Sequence, residues 1–180
     1  MRTITVPQKD EVSEGNSAIF SQMEKGLGFV PNLFATFAHS NNALNNYLNF
    51  QNAKTSLNSK EKEVINLVVS QYNDCQYCLA AHTAIAQKIG FSLAQTLEIR
   101  SASLSFNTKL DAMAKLVKSI ITQKGHGDNA LLEQFFNVGY TEETLIDVIL
   151  LIGDKTITNY VHAITKVPID WPLAPELITE

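Results

Sequence analysis

The sequence predicts an all-α fold, because three of its features agree. Apolar residues recur at intervals of three and four positions along most of the chain, which is the spacing of residues on one face of a helix. Residues that cap helices punctuate these segments, and the alternation of apolar and polar residues typical of strands is almost absent. We therefore expect a bundle of helices that pack around a shared core.

The first half of the chain divides into helices at such capping residues. The pattern predicts helices over residues 17–25, 32–38, 41–54, 58–71 and 75–89. Asn58, with Glu61 three residues later, forms a capping box at the start of the fourth helix. Asp74 is expected to cap the fifth helix, which Gly90 ends. The inner face of the fourth helix is expected to hold Val64, Leu67 and Val68.

Further helices are expected in the second half of the chain. Ser92 and Gln95 form a second capping box. Helices are then predicted over residues 107–125, 128–139 and 141–164, the last as one long apolar helix or a helix pair. The proline-rich stretch 167–180 is expected to be an extended tail. The length favours a single domain over 1–180, with its core over about 26–166.

Composition excludes several classes of function. The formal net charge of -4, with scattered basic residues, argues against a nucleic-acid partner. No apolar run approaches the roughly 20 residues that span a bilayer, and no secretory signal is recognisable. We expect a cytoplasmic protein. Because charged residues make up only 18% of the chain, part of its surface is expected to be covered by another subunit in a homo-oligomer.

Two cysteines carry the strongest chemical signal. Cys75 and Cys78 are separated by two residues, so a bridge between them closes a loop too short to stabilise the fold much. In a reducing compartment such a pair points to redox chemistry or metal binding. The predicted helix start at Cys75 favours thiolates there. His82 follows Cys78 by four residues, on the same helix face, where an imidazole can activate the thiol.

Glu63 is the fourth candidate of the site. It lies on the inner edge of the preceding helix, and a helical hairpin with its turn near residues 72–74 would fold it back toward His82. A carboxylate at that place orients the imidazole and stabilises its charge.

Together these residues resemble a known family signature. Glu63, an eleven-residue gap, and then Cys75, Cys78 and His82 are similar to the signature of the alkylhydroperoxidase D-like branch of the carboxymuconolactone decarboxylase family. The stretches 28–34 (Gly-Phe-Val-Pro-Asn-Leu-Phe) and 170–172 (Asp-Trp-Pro) resemble its peroxidase-related members. The resemblance covers residues from about 26 to 172.

The resemblance implies a fold, a reaction and partners. The fold is an alkylhydroperoxidase D-like helical bundle built around the hairpin that carries the two cysteines, assembled as trimers or hexamers. The implied activity is reduction of hydrogen peroxide or organic hydroperoxides, without flavin, haem or metal. Glu63 acts through His82 and a water to deprotonate Cys78, which becomes a sulfenic acid. Cys75 then forms a disulfide with it, and an external thiol or dithiol reductant restores both thiols.

One position departs from the family pattern. Tyr77 stands immediately before the second cysteine, where the family relay has a histidine, and a tyrosine does not shuttle protons near neutral pH. This departure puts the efficiency of peroxide reduction in doubt. The helix start also favours Cys75 as the attacking thiol, whereas His82 favours Cys78, which we prefer.

Three alternatives to a peroxidase stay open at this point. The first is a thiol-disulfide adaptor or redox sensor, which needs the same two cysteines. The second is a zinc site formed by the four candidate residues, three of which lie on one helix although structural zinc sites usually join distant segments. The third is lactone decarboxylation, whose family members do not resemble this chain at the cysteine positions.

Overall fold

The computed structural model describes residues 4–177, and within them every regular element is an α-helix. The all-α prediction is therefore confirmed. In chain order the helices are α1 (Glu14–Leu27), α2 (Asn32–Phe37), α3 (Ala43–Gln51), α4 (Ser59–Tyr72), α5 (Gln76–Lys88), α6 (Leu93–Ser101), α7 (Thr108–Thr122), α8 (Asn129–Asn137) and α9 (Glu142–Thr165). No helix in the described part of the chain is both long and apolar enough to cross a membrane.

The larger of two compact units comprises Thr55–Asn159 and residues 171–177. Its central element is α4, which packs against α5, α6 and α7. The predicted inner face of α4 is fully buried: Val64, Leu67 and Val68 have no exposed surface. These side chains join a large apolar cluster that includes Met113, Phe135 and other residues of α7 and α8. Burial of this cluster supplies the main stabilisation of the unit.

The smaller unit comprises residues 4–54 and Tyr160–Asp170. Its apolar cluster contains Phe20 and Leu44, among others. Two partly buried hydrogen bonds hold segments of this unit together. The Asn16 amide donates to the carbonyl of Ser40 at 3.0 Å, and the Asp170 carboxylate accepts from the backbone N–H of Asn32 at 2.6 Å. The donor, Asn32, lies in the first turn of α2, where N–H groups have no partner within the helix.

Helix ends follow the capping chemistry of the sequence at most positions. Both predicted capping boxes are present, with Asn58 and Glu61 exchanging hydrogen bonds at α4 and Ser92 and Gln95 doing so at α6. Gly28 ends α1 in the left-handed conformation, with φ 87°. The region 141–164 forms one continuous helix rather than a pair.

The predicted cap at Asp74 is wrong. Asp74 has φ 53°, and its carboxylate accepts from the Gln76 side chain at 3.0 Å. The cap of α5 is Cys75, whose sulfur accepts from the backbone N–H of Cys78 at 3.3 Å. A left-handed residue is needed to turn the chain sharply between α4 and α5, and aspartate tolerates that conformation better than most residues do.

We expect Leu67→Ala to lower the free energy of unfolding by about 2–5 kcal/mol, because it opens a cavity in a site with no exposed surface. Urea denaturation measures the change. Leu93→Ala is the matched control, since Leu93 is 44% exposed and should lose less than about 1 kcal/mol. Equal losses in the two variants would contradict the central role of α4.

Candidate active site

The helical hairpin α4–α5 brings the four predicted site residues onto two adjacent elements. Glu63 lies in α4, Cys75 caps α5, and Cys78 and His82 lie within α5. Glu63 Oε2 lies 2.8 Å from His82 Nδ1, which is the juxtaposition that the hairpin was expected to produce. Cys78 and His82 are one helical turn apart, so their side chains project from the same face of α5. The catalytic roles of these residues stay predictions.

Glu63 is a buried carboxylate with both oxygens engaged. Oε1 accepts from the Asn66 amide at 3.0 Å, and Oε2 contacts His82. Burial alone would raise the pKa of Glu63, but the charge and hydrogen bond of His82, the Asn66 hydrogen bond and the charge of Lys155 outweigh it, so the pKa lies below 4.5. Glu63 is therefore ionised at neutral pH, and it can only accept hydrogen bonds.

This ionisation decides the tautomer of His82. Because the carboxylate has no proton to donate, Nδ1 carries the hydrogen of the bond to Glu63. Burial and the nearby charge of Lys155 lower the pKa of His82 below 6.5, against the opposing effect of Glu63. The imidazole is neutral at pH 7, which leaves Nε2 unprotonated and able to accept a proton. Its side chain is 13% exposed.

Cys75 and Cys78 are joined by a disulfide, with their Cα atoms 5.3 Å apart. Each residue is only 2% exposed. The sulfur of Cys75 occupies the N-cap position of α5, where free N–H groups stabilise negative charge. The bridge spans a single helical turn. The packing of α4 against α5 therefore depends mainly on other contacts.

Three polar residues of α9 near the site were missed in the sequence. Asp154, Lys155 and Asn159 are each no more than 3% exposed. Asn159 accepts from the Asn73 amide at 2.9 Å and donates to Ser70 Oγ at 3.4 Å, and these bonds tie α9 to α4. The available signal was an Asp-Lys pair inside a strongly apolar helix, since buried charges usually have a specific reason.

Two further observations concern the alternatives raised by the sequence. Tyr77, in place of the family histidine, is 3% exposed and so belongs to the interior of the larger unit. Across residues 4–177, no group of three or more His, Cys, Asp or Glu side chains is arranged to hold a metal ion.

Residues 36–117 match the model of the carboxymuconolactone decarboxylase family. This stretch holds all four site residues and runs from α2 into α7. Through it, a little under half of the chain is similar to the carboxymuconolactone decarboxylase family. No curated protein sequence matches the chain.

Solved structures share the fold of this chain over nearly its whole length. One is a peroxidase-related protein with an alkylhydroperoxidase AhpD core from Ralstonia eutropha JMP134, with a TM-score of 0.84, 19% identity and 94% of each chain covered. Another is a peroxidase-related protein from Silicibacter sp. TM1040, with a TM-score of 0.80, 22% identity, and 91% of this chain and 90% of that chain covered.

A third structure with this fold has a different named activity. It is a variant of the debrominase Bmp8 in complex with 2,3,4-tribromopyrrole, with a TM-score of 0.78, 19% identity, and 94% of this chain and 92% of that chain covered. The AhpD-like helical fold is thus established for the chain, whereas the reaction has to be argued from the site.

His82 should make the protein less stable in weak acid. Its pKa is lowered on folding from 6.5, so the unfolded chain binds more protons just below that pH and stability falls as the pH drops through 6.5. We expect His82→Gln to lose stability less steeply than the parent between about pH 7 and pH 5.5. Urea midpoints at several pH values measure both slopes, and a steeper slope in the variant would contradict the assignment of a buried neutral imidazole.

Proposed function

We propose that this protein is a thiol-dependent peroxidase that reduces hydrogen peroxide or organic hydroperoxides through a Cys75–Cys78 disulfide cycle. The observation that carries the proposal is the Glu63–His82 hydrogen bond beside a cysteine pair at the start of α5. This arrangement supplies the two groups that thiol chemistry needs: thiols at the electropositive start of α5 and an unprotonated imidazole nitrogen one turn after Cys78. A debrominase has the same fold, so the fold by itself does not determine the reaction.

The proposed cycle begins with proton transfer. Nε2 of His82 accepts the proton of the Cys78 thiol, directly or through a water, while Glu63 holds Nδ1 and stabilises the imidazolium. The thiolate attacks the terminal oxygen of the hydroperoxide and the O–O bond breaks. The sulfur becomes a sulfenic acid, and the alkoxide takes the proton from His82 and leaves as an alcohol.

The second half of the cycle regenerates the enzyme. The Cys75 thiol displaces the hydroxyl of the sulfenic acid, which leaves as water, and the disulfide forms. An external thiol or dithiol then reduces the bridge by exchange and is itself oxidised to a disulfide. One hydroperoxide is thus reduced for each dithiol oxidised. Cys75, as the residue at the helix N-terminus, is stabilised as a thiolate and is a good leaving group in this exchange.

We expect Cys78→Ser to abolish hydroperoxide consumption by the reduced protein, because the attacking sulfur is gone. Cys75→Ser should still consume one equivalent and then stop at the sulfenic acid, which a dimedone adduct detects by mass spectrometry. Peroxide loss is measured with ferrous xylenol orange at a fixed thiol concentration. Cys78→Ser consuming peroxide as fast as the parent protein would refute the assignment.

The adaptor alternative is distinguished by the reductant. If the protein passes electrons between other thiol proteins, its disulfide should exchange rapidly with dithiols while peroxide turnover stays negligible with every reductant tried. A parallel assay with 2,3,4-tribromopyrrole tests whether the debrominase reaction of the structural neighbour extends to this chain.

We further propose that the protein is a homo-oligomer and that copies meet along α9. From Ile146 to Ile157, every exposed residue of α9 is apolar or glycine. The exposed positions are Ile146, Ile149, Leu150, Gly153 and Ile157. They recur at intervals of three and four, as on the contact face of paired helices, and none carries a charge. A second copy of the same apolar stripe is the partner that this uncharged face fits.

Ile157→Glu should break this assembly, because it places a charge in the stripe, where the parent residue is 42% exposed in the single chain. Light scattering after size-exclusion chromatography should give a multiple of 19.9 kDa for the parent and a smaller mass for the variant. Leu93→Glu, on the exposed side of α6, is the control and should keep the parent mass. A parent protein of 19.9 kDa would overturn the proposal.

A further inference from the structure

Lys155 is a buried cation that the cycle above does not use. It lies in α9 and is 3% exposed, as is its neighbour Asp154. Burial lowers the pKa of Lys155, while the charges of Asp154 and Glu63 oppose that effect. Lysine is seldom buried, because removing an ammonium from water is costly unless charges compensate it. Because Lys155 acts on both Glu63 and His82, its burial is best explained by an electrostatic role at this pair.

The contacts of Lys155 are unlike those of a structural ion pair. Within the described residues, its ammonium makes neither a direct ion pair nor a hydrogen bond. Asp154 Oδ1 is likewise buried and has no hydrogen-bond partner there. The two charges consequently act through space on the groups around them, and such action is strong where water is excluded.

Four ionisable groups share this buried region besides the cysteine pair: Glu63 from α4, His82 from α5, and Asp154 and Lys155 from α9. Glu63 and Asp154 both favour the protonated form of His82, whereas Lys155 disfavours it. A histidine hydrogen-bonded to a buried carboxylate tends to become a stable imidazolium, which has no free site for another proton. Burial of the ring opposes this tendency first, and the charge of Lys155 opposes it further. Asn159, one helical turn after Lys155, bonds to Asn73 and to Ser70 of α4, so this face of α9 packs against the helix that carries Glu63.

We propose that Lys155 is a positioning residue that keeps His82 uncharged in the resting protein, so that Nε2 is free to accept the thiol proton. The inference deepens the proposed peroxidase cycle and rests on it for its consequence, although the effect on His82 is independent of any substrate. The charge of Asp154 has the opposite effect on His82. Each of the two charges of α9 can be removed by a separate substitution.

The test is an NMR titration of His82 in the oxidised protein, where the disulfide removes the thiols as titrating groups. The resonance is assigned by its loss in His82→Gln. We expect a pKa below 6.5 in the parent protein, as for a buried neutral imidazole. Lys155→Met should raise the pKa of His82, because it removes the nearby positive charge. Asp154→Asn should lower it, and Lys155→Arg should restore the parent value.

Misfolding of any variant would raise the pKa of His82 toward that of an exposed histidine. A lower pKa in Asp154→Asn and the parent value in Lys155→Arg therefore separate electrostatics from damage to the fold. A parent pKa above 6.5, which needs no variant, would overturn the inference. So would an unchanged value in Lys155→Met.

A second readout ties the inference to the reaction. The pH profile of hydroperoxide consumption should move to higher pH in Lys155→Met by the same shift that NMR records. If NMR shows the shift but the parent consumes no peroxide, the role of Lys155 stands and the proposed reaction fails. If peroxide is consumed and the pKa of His82 does not respond to Lys155, the reaction stands and this inference fails.

Discussion

A carboxylate buried between helices has to be satisfied by hydrogen bonds, and Glu63 satisfies this requirement with one contact inside α4 and one to α5. Leaving either oxygen unpaired would cost on the order of 1–3 kcal/mol or more for a charged group. The bond to His82 therefore acts on structure and chemistry together. It helps fix the α4–α5 hairpin, and it decides which imidazole nitrogen carries the proton.

In this unit, the residues that supply most of the buried apolar surface differ from those of the proposed redox site. The apolar face of α4, with α6, α7 and α8, supplies the buried surface. The disulfide bridges one turn at the start of α5 and stabilises little beyond that turn. Because the bridge closes only one turn, the proposed cycle could open and close it without loss of the packing of the helices.

Much of the fold was predictable because its signals are local. The capping boxes at Asn58 and Ser92 and the buried face of α4 depend on residues a few positions apart. The cap of α5 was mispredicted for a local reason as well: aspartate is both a good cap and a tolerant residue for a left-handed turn. The sequence does not say which of these two roles Asp74 takes, and the tight link to α4 selects the turn.

The candidate site was predictable only in part, because some of its members come from far along the chain. Glu63, Cys75, Cys78 and His82 share one hairpin, so spacing sufficed to bring them together. The contribution of α9 depends on how it packs against α4 through contacts 86 and 89 positions apart, which no local pattern encodes. Helix α9 also has two different faces that its apolar sequence does not distinguish: one carries buried charges, and the other carries exposed apolar residues.

The central claim is that the cysteine pair reduces hydroperoxides by two electrons and that the Glu63–His82 pair accepts and returns the thiol proton. It is tested most directly by counting free thiols in the reduced protein before and after addition of one equivalent of hydroperoxide, with the alcohol product measured in the same sample. The account predicts that both thiols disappear as one alcohol forms. Two thiols that persist beside unreacted hydroperoxide would contradict it.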